Sequence, residues 1–237
     1  MEYTGGPKKV LLILTILFLP SAIYLYMIQG EHNFAHLPLL TVTDENGEES
    51  YRTIDSYEFI DQNGDVFTQE KVEGKIHVVD FFFTRCPSIC PIMTENMKNI
   101  HRKFTQYEDF ALISHTVDPQ YDTTFVLKNY AMERDIDFED WHFLTGSKDS
   151  IYATAFEYLS SAMEDPTAPG GFLHTEYFVL IDKEGRIRSR EDDNGNIIGV
   201  YDGTSKVQVN ALIDDIKVLM AEYQLELKKN NKKEEDE

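Results

Sequence analysis

The pattern of hydrophobic and polar residues divides this chain into an apolar segment near the N-terminus, a short polar stretch, a long mixed body and a charged tail. Residues 10–28 contain no charged side chain, and this run is close to the ~20 residues that a membrane-spanning helix needs. A cleaved signal peptide fits less well, because the run is long for such a segment and no small-x-small cleavage pattern follows it. We therefore predict a single transmembrane anchor at 10–28.

Charges on either side of this run predict its orientation. Lys8 and Lys9 precede it, and an acidic segment follows it, so residues 1–9 are expected in the cytoplasm and the body on the other side of the membrane. The remaining boundaries are a tether at 29–50, a folded domain at 51–227 and a charged, disordered tail at 228–237.

Within the body, apolar runs of strand length alternate with segments of helical periodicity. Strands are predicted at 57–60, 66–68, 78–83, 110–117, 141–144, 172–181 and 186–189, and helices at 86–104, 124–134, 150–163 and 207–225. Asn63-Gly64 supplies the tight turn between the first two strands. This order predicts an α/β sandwich with helices on both faces of the sheet.

Both cysteines lie in one stretch, residues 78–97, with the sequence VVDFFFTRCPSICPIMTENM. Its apolar start is interrupted only by Asp80, as expected of a strand buried on both faces. Cys86-Pro87 predicts the start of a helix, because proline fits the first helical position. Cys86 and Cys90 would then lie one turn apart at the helix N-terminus, where unpaired N–H groups favour thiolate over thiol.

Composition narrows the classes of function. The formal charge of −20 argues against a nucleic-acid partner and predicts that the domain stands off anionic lipid, while a basic protein would be attracted to it. Two cysteines so close in sequence cannot form a disulfide framework, since a bond between them would close a very short loop and reduce the entropy of the unfolded chain only slightly. The pair is therefore expected to carry chemistry.

Two thiols at this spacing admit two chemistries, a dithiol/disulfide couple or two ligands of a soft metal ion. A histidine added to two thiolates suits copper, and also zinc if a fourth ligand is present. His174 is the best placed, because it follows the Gly170-Gly171 turn at the start of a strand expected beside the cysteine strand. The other six histidines are interpreted as structural or solvated; His115 and His142 are expected to be hydrogen-bonded core residues.

Two further residues, Asp118 and Met93, could contribute to the thiol site. Asp118 ends a strand on the cysteine side of the sheet, and the sequence leaves open whether it caps a turn or supports the thiol site. Met93 offers a soft sulfur three residues after Cys90, but its spacing is typical of core packing.

Five segments in order carry a resemblance to a known family. FFFTRCPSICPIMTENM, TVDPQYDTTFVLKNYA, WHFLTG, LHTEYFVLIDKEGRIR and GVYDG together resemble the Sco (SenC-like) family of membrane-anchored copper-handling proteins, over roughly residues 59–219. The resemblance implies a thioredoxin-like fold, with a central mixed sheet flanked by helices, on a single N-terminal membrane helix. The sequence departs from the family pattern in two places, a longer loop at 191–198 and the acidic tail.

The function that the resemblance implies is copper delivery to the binuclear copper site of cytochrome c oxidase, by a metallochaperone rather than an enzyme. Cys86, Cys90 and His174 would be the copper ligands, Asp118 matches the aspartate of the family's VDP motif, and Cys86 and Cys90 would also form a redox-active disulfide. The alternative is a thiol-disulfide oxidoreductase that keeps the copper-ligand cysteines of the oxidase subunit reduced. Expected partners are that subunit and other copper chaperones or thiol reductants, with the domain on the periplasmic or extracytoplasmic side of the cell membrane.

Overall fold

The computed structural model describes residues 12, 14–21, 36–43, 46–136 and 139–236. The chain divides into two compact units, residues 1–35 and 36–237. In the first unit, residues 14–21 are helical and exposed, whereas residues 1–9 and most of the rest of the predicted anchor at 10–28 lie outside the described residues. No helix within the described ranges is long and apolar enough to cross a membrane.

The second unit is built around a mixed sheet of eight strands. The strands of the described chain are β1 (Thr41–Thr43), β2 (Glu49–Tyr51), β3 (Glu58–Asp61), β4 (Val66–Thr68), β5 (Ile76–Phe82), β6 (Phe110–Thr116), β7 (Trp141–Thr145), β8 (Ala162–Glu164), β9 (Phe172–His174), β10 (Tyr177–Ile181), β11 (Ile187–Arg188) and β12 (Tyr201–Asp202). The main sheet has the order β11-β10-β5-β6-β7-β3-β4, and β12 pairs with β10. β5, β6 and β7 are parallel, and the other pairs of this sheet are antiparallel.

Four α-helices accompany the sheet: α1 (Cys90–Phe104), α2 (Thr124–Met132), α3 (Lys148–Glu157) and α4 (Lys206–Asp236). Phe82 of β5 packs against Tyr130 of α2, and Tyr130 hydrogen-bonds to Thr94 of α1, so both helices lie on one face. Phe81 packs against Tyr158, which ends α3, on the opposite face, because successive strand residues point to opposite sides. The predicted α/β architecture with helices on both faces is confirmed.

Three predicted elements differ from the structure. The helix predicted at 150–163 ends at Glu157, because Leu159 adopts a positive φ of 57°, and Ala162–Glu164 form strand β8 instead. The strand predicted at 172–181 is two strands, β9 and β10. The tail predicted to be disordered continues α4 to Asp236, since residues 206–236 contain no glycine or proline to end a helix and are rich in strong helix formers such as leucine, glutamate and lysine.

The core centres on the two middle strands. Every residue of β5 and β6 is buried, as their predominantly apolar sequences predict. The polar exceptions include Asp80 and Ser114, which form a hydrogen-bonded chain: Trp141 Nε1 donates to Ser114 Oγ, and Ser114 Oγ donates to Asp80. Burial raises the pKa of Asp80 to about 7.

His115 of β6 does not have the hydrogen bonds expected of a core histidine. Its ring is fully buried, stacks on Phe81 with 5.0 Å between ring centroids and meets Phe59 edge-on. Neither ring nitrogen has a hydrogen-bond partner among the described residues, and Nδ1 of His142 is likewise unpaired there. The prediction of hydrogen-bonded core histidines was therefore wrong for these atoms, because aromatic packing encloses them.

This burial predicts a pH dependence of stability. Burial lowers the pKa of His115 from 6.5 to about 3, so the folded state resists a proton that the unfolded state accepts below pH 6.5. The unfolding free energy of the wild type should therefore fall, relative to that of His115→Phe, by up to about 1.4 kcal/mol per pH unit as pH drops from 6 to 4. Chemical denaturation of both proteins at several pH values measures this difference. Parallel pH curves would contradict it.

A buried ion-pair network fastens the start of the domain to its end. Arg188 of β11 is 5% exposed and pairs with Asp182 and with Glu222 of α4. Arg188 also donates to the carbonyl oxygen of Leu37, and Glu222 accepts a hydrogen bond from the Leu37 amide. The chain thus enters the domain at a fixed point beside α4.

Candidate metal centre

The two cysteines follow the end of β5. Cys86 lies in the loop before α1, where its amide donates to the Phe83 carbonyl oxygen, and Cys90 is the first residue of α1. The helix therefore begins four residues later than the Cys86-Pro87 pair predicted, with Pro91 in its first turn. Cys86 is 7% exposed and Cys90 is 1% exposed, so the thiols lie just beneath the surface.

His174 reaches these thiols from a separate two-stranded sheet. It ends β9, which pairs only with β8 in the described chain, and its Cα partner is Ala162. Its Nε2 lies 3.1 Å from Cys90 Sγ, and its Nδ1 lies 3.0 Å from the Thr175 carbonyl oxygen. A carbonyl only accepts, so Nδ1–H donates to it and the Nε2 lone pair faces the sulfur atoms.

The three side chains form a compact donor set. The sulfur atoms of Cys86 and Cys90 and one ring nitrogen of His174 lie within 4.8 Å of one another, and no other such group of three is found among the described residues. The two cysteines are free rather than disulfide-bonded. The sequence had placed all three residues at one end of the sheet, and the structure brings their donor atoms together.

The two thiols are electrostatically unequal. A hydrogen bond from the Cys90 thiol is the largest cause that lowers the pKa of Cys86. The same bond raises the pKa of Cys90, and burial raises it further. The pair therefore holds one proton on Cys90, and Cys86 is the thiolate.

Aromatic packing fixes the loop that leads to His174. The Phe83 ring contacts the His174 ring edge-on and also packs against Phe172. Gly170 lies against the same ring: it has a φ of 82°, and a Cβ there would lie 2.6 Å from a Phe83 ring atom. The turn that contains Gly170 is thus packed on the loop that carries the cysteines.

Asp118 contacts the site through Arg85. Its carboxylate forms an ion pair with Arg85, the residue before Cys86, and the Arg85 guanidinium stacks on the Tyr121 ring at 3.9 Å. The Asp118 carbonyl oxygen accepts hydrogen bonds from the amides of Tyr121 and Asp122. Asp118 therefore closes a turn and pairs with the residue that precedes Cys86.

Sequence reasoning missed the role of Asp122. Thr123 caps α2, and the fully buried Asp122 carboxylate accepts hydrogen bonds from Thr84 and Thr116. It thereby ties the cysteine loop to the end of β6. Met93 is fully buried in the core, as predicted.

The fold and the site define a class: a thioredoxin-like α/β protein with two thiols and a histidine at the end of its sheet. The SCO1/SenC family model matches residues 45–208, more than half of the chain. The SCO1 protein homolog of Bacillus subtilis is 28% identical over 166 residues, which are 69% of this chain and 81% of that protein. The chain belongs to the SCO1/SenC family.

Solved structures agree with this assignment. BsSco, a member of the Sco family of cytochrome c oxidase assembly proteins in which a disulfide switch was identified, aligns with a TM-score of 0.59 and 27% identity, over 70% of this chain and 92% of that chain. ScoI of Bradyrhizobium japonicum, with copper bound, aligns with a TM-score of 0.52 and 27% identity, over 59% of this chain and 89% of that chain. The expected thioredoxin-like fold with a central mixed sheet is confirmed.

Proposed function

We propose that this protein is a copper metallochaperone that binds one copper ion through Cys86, Cys90 and His174 and delivers it to the binuclear copper site of cytochrome c oxidase. The observation that carries the proposal is the convergence of two sulfur atoms and one imidazole nitrogen within 4.8 Å. The copper-bound ScoI of Bradyrhizobium japonicum and the oxidase-assembly family of BsSco support it.

The donor set fits copper as cargo. Two thiolates and a neutral imidazole are soft to intermediate ligands, which suit copper, whereas a structural zinc site takes four protein ligands. The described residues offer three such ligands here. The proton on Cys90 must leave when the ion binds, so copper binding is coupled to proton release and requires both sulfurs reduced.

The supporting residues have distinct proposed roles. Thr175 fixes the His174 tautomer through its carbonyl oxygen, which leaves Nε2 as the ligand atom. Asp118 holds Arg85 beside Cys86, and we infer that this pair sets the local charge around the thiolate and the position of the cysteine loop.

Delivery requires the ion to leave its ligands one at a time. His174 belongs to the small β8–β9 sheet rather than to the main sheet, so it can withdraw without breaking the ladder that holds β5. The two cysteines would then present the ion on two sulfurs to the incoming ligands of the recipient.

The proposal also covers the location of the protein in the cell. We propose that residues 10–28 anchor the chain in the cell membrane with the domain on the periplasmic or extracytoplasmic side. Support comes from the uncharged sequence of that run and from the lysines before it. The expected partners are the copper-site subunit of the oxidase and the chaperones or thiol reductants that load the site.

The unequal thiols also favour a second function, thiol-disulfide exchange. Cys86 is the thiolate and the more exposed of the two sulfurs, as the attacking group of such a reaction must be. Its attack on a partner's disulfide would form a mixed disulfide and release one thiolate of the partner. Cys90, once it has lost its proton, would then attack the Cys86 sulfur, form the Cys86–Cys90 bond and release the partner's second thiolate, so that the partner is reduced and this protein is oxidised. Such a protein would keep the oxidase's copper-ligand cysteines reduced, and it would not need His174.

The copper content of the reduced full chain in a non-ionic detergent tests the proposal. We expect one copper ion per chain in the wild type and markedly weaker retention in His174→Ala. His101→Ala is a suitable control, since that histidine also lies on α1 but does not belong to the donor set of Cys86, Cys90 and His174. No retained copper, or retention indifferent to His174, would favour the thiol-disulfide function instead.

The packing of Gly170 gives a separate prediction. In Gly170→Ala, the added methyl group meets the Phe83 ring, and the positive φ is strained for alanine, so the loop that carries His174 must shift. We expect copper affinity to fall about tenfold, a loss comparable to that of a supporting residue around a metal ligand. Competition with a copper chelator measures it.

Gly64→Ala is the control for this variant, because Gly64 has a similar φ of 88° in the β3–β4 turn, with open space around its Cβ position. It should lose some stability and keep its copper affinity. Equal affinities in all three proteins would mean that the Phe83 contact does not position His174.

A further inference from the structure

A second candidate site lies at the opposite end of β5 from the thiols. A cleft of about 570 Å³ opens beside His77, near the start of β5, whereas the cysteines follow the end of that strand. Its walls come from the β3–β4 hairpin, the 3-10 helix Gln69–Lys71 and the turn at 183–185. Its volume is in the range of pockets that hold small organic ligands.

The floor of this cleft presents a buried hydrogen-bond acceptor. His77 lines the cleft and is only 3% exposed. Its Nδ1 lies 3.1 Å from the Lys75 carbonyl oxygen and must donate to it, which leaves the lone pair on Nε2. Within the described ranges Nε2 has no hydrogen-bond partner, yet it is not enclosed by protein atoms. Burial lowers the pKa of His77 to about 4, so the ring stays neutral and keeps this lone pair at neutral pH.

The rim of the cleft carries uncompensated negative charge. Glu58, Glu70 and Glu73 line it, and none of them has an ion-pair partner among the residues that the structure describes. The other two charged residues of the lining are already paired, Lys183 with Asp109 and Glu184 with Arg186. Lys71 is turned onto the Phe67 ring instead of the cleft. A ligand here meets three carboxylates and one neutral imidazole.

A single metal ion does not suit this arrangement. The only group of metal-ligating side chains in the described residues whose donor atoms lie close enough to share an ion is that of Cys86, Cys90 and His174. The lining of the cleft also includes the aromatic residue Tyr57 and the apolar residue Val72. A flat cation with several donors, which can also lie against an aromatic ring, matches such a set better than a point charge.

We propose that the cleft between the β3–β4 hairpin and the 183–185 turn binds a guanidinium group, which donates to His77 Nε2 and to the carboxylates of Glu70 and Glu73. The group can come from a small guanidine compound or from an arginine side chain of a partner protein. This site is separate from the thiols, so it does not depend on the copper proposal.

Calorimetric titration of the full chain in a non-ionic detergent tests this site. The probes are agmatine and the tripeptide acetyl-Gly-Arg-Gly-amide, each at constant ionic strength, with magnesium chloride as the cation control. We expect saturable binding of one guanidinium per chain and no comparable binding of magnesium. Agmatine alone would identify a small-molecule site, and tripeptide binding of equal or greater affinity would identify an arginine side chain as the natural occupant.

Two sets of variants locate the binding. His77→Phe removes the acceptor and should weaken binding about tenfold. The double variant Glu70→Gln, Glu73→Gln changes two exposed residues, so it should fold normally and weaken binding about fivefold. Glu133→Gln combined with Glu226→Gln makes the same charge change on exposed residues that do not line the cleft, and it should change the affinity less than twofold. Absence of saturable binding, or equal weakening in both double variants, would overturn the proposal.

Discussion

Cys90→Ser is expected to lower the copper affinity of this protein by more than about 100-fold, because loss of a mere supporting residue around a metal ligand already costs 10–100-fold. Cys90 is the better buried of the two thiols and the one within 3.1 Å of His174, so serine would place a hard hydroxyl at the centre of a soft site. Cys86→Ser should have an effect of similar size. Competition with a chelator, under reducing conditions, measures both.

Ser88→Ala is the matched control for the cysteine variants. Ser88 lies in the same loop, with its Oγ 3.7 Å from Cys86 Sγ, but it is absent from the compact donor set. Its affinity should stay within a few-fold of the wild type, since the contact to sulfur is long and weak. An equally large loss in Ser88→Ala would mean that loop structure, rather than sulfur ligation, sets the affinity.

The second large effect concerns stability. Arg188→Ala is expected to reduce the free energy of unfolding by about 3–5 kcal/mol, the usual cost of removing one partner from a buried ion pair. The substitution removes the arginine partner of the buried Glu222 and leaves Asp182, which is fully buried, with Arg186 as its remaining cation. It also removes the donors to the Leu37 carbonyl oxygen. Denaturant unfolding of the reduced protein measures the loss.

Arg102→Ala provides the comparison for Arg188. Arg102 also pairs with a carboxylate, that of Glu95, but both side chains are 59% exposed. Such a surface pair contributes at most about 1 kcal/mol, so this variant should unfold almost like the wild type. Similar losses in the two arginine variants would contradict the role of the buried network at the start of the domain.

The ion-pair network of Arg188, Asp182 and Glu222 also binds the first residues of the domain. Leu37 is the second residue of the compact unit that begins at His36, and its amide and carbonyl groups are both bound by side chains of the network. The network therefore holds the first residues of this unit against β11 and α4. In Arg188→Ala the contacts to the Leu37 carbonyl oxygen are lost together with stability.

The strands and helices that could be predicted from sequence are those with strong hydrophobic patterns. β5 and β6 are recognisable because most of their residues are apolar, and the β3–β4 hairpin because Asn63-Gly64 marks its turn. The end of α3 was not predictable in this way, since it depends on the positive φ of Leu159, a residue type that rarely adopts it. The helical tail was missed because its charges resemble those of a disordered segment.

The thiol site was predictable in part for a physical reason. Cys86 and Cys90 are close in sequence and follow a buried strand, so their proximity is local information. The approach of His174 depends on the separate β8–β9 sheet. It also depends on the packing of Phe83 against Gly170, two residues that are more than 80 positions apart in the sequence. From the residues alone, His174 was one candidate; the resemblance to the Sco family selected it, and the structure places its Nε2 beside Cys90 Sγ.

Hydrogen-bond networks were the least predictable feature. Asp122 resembles an ordinary helix-capping residue in sequence, yet its carboxylate joins Thr84 of the cysteine loop to Thr116 of β6. The acceptor in the second cleft, His77 Nε2, is available because the Lys75 carbonyl oxygen occupies the other ring nitrogen. Such choices between partners depend on tertiary contacts that no local pattern encodes.

X-ray absorption spectroscopy of the copper-loaded full chain tests the proposed copper centre, because it counts the ligands of the copper ion by element. The wild type should show two sulfur ligands and one imidazole nitrogen, and His174→Ala should lose the nitrogen while it keeps both sulfurs. A wild-type spectrum with fewer than two sulfur ligands, or one unchanged in His174→Ala, would contradict the proposed copper centre.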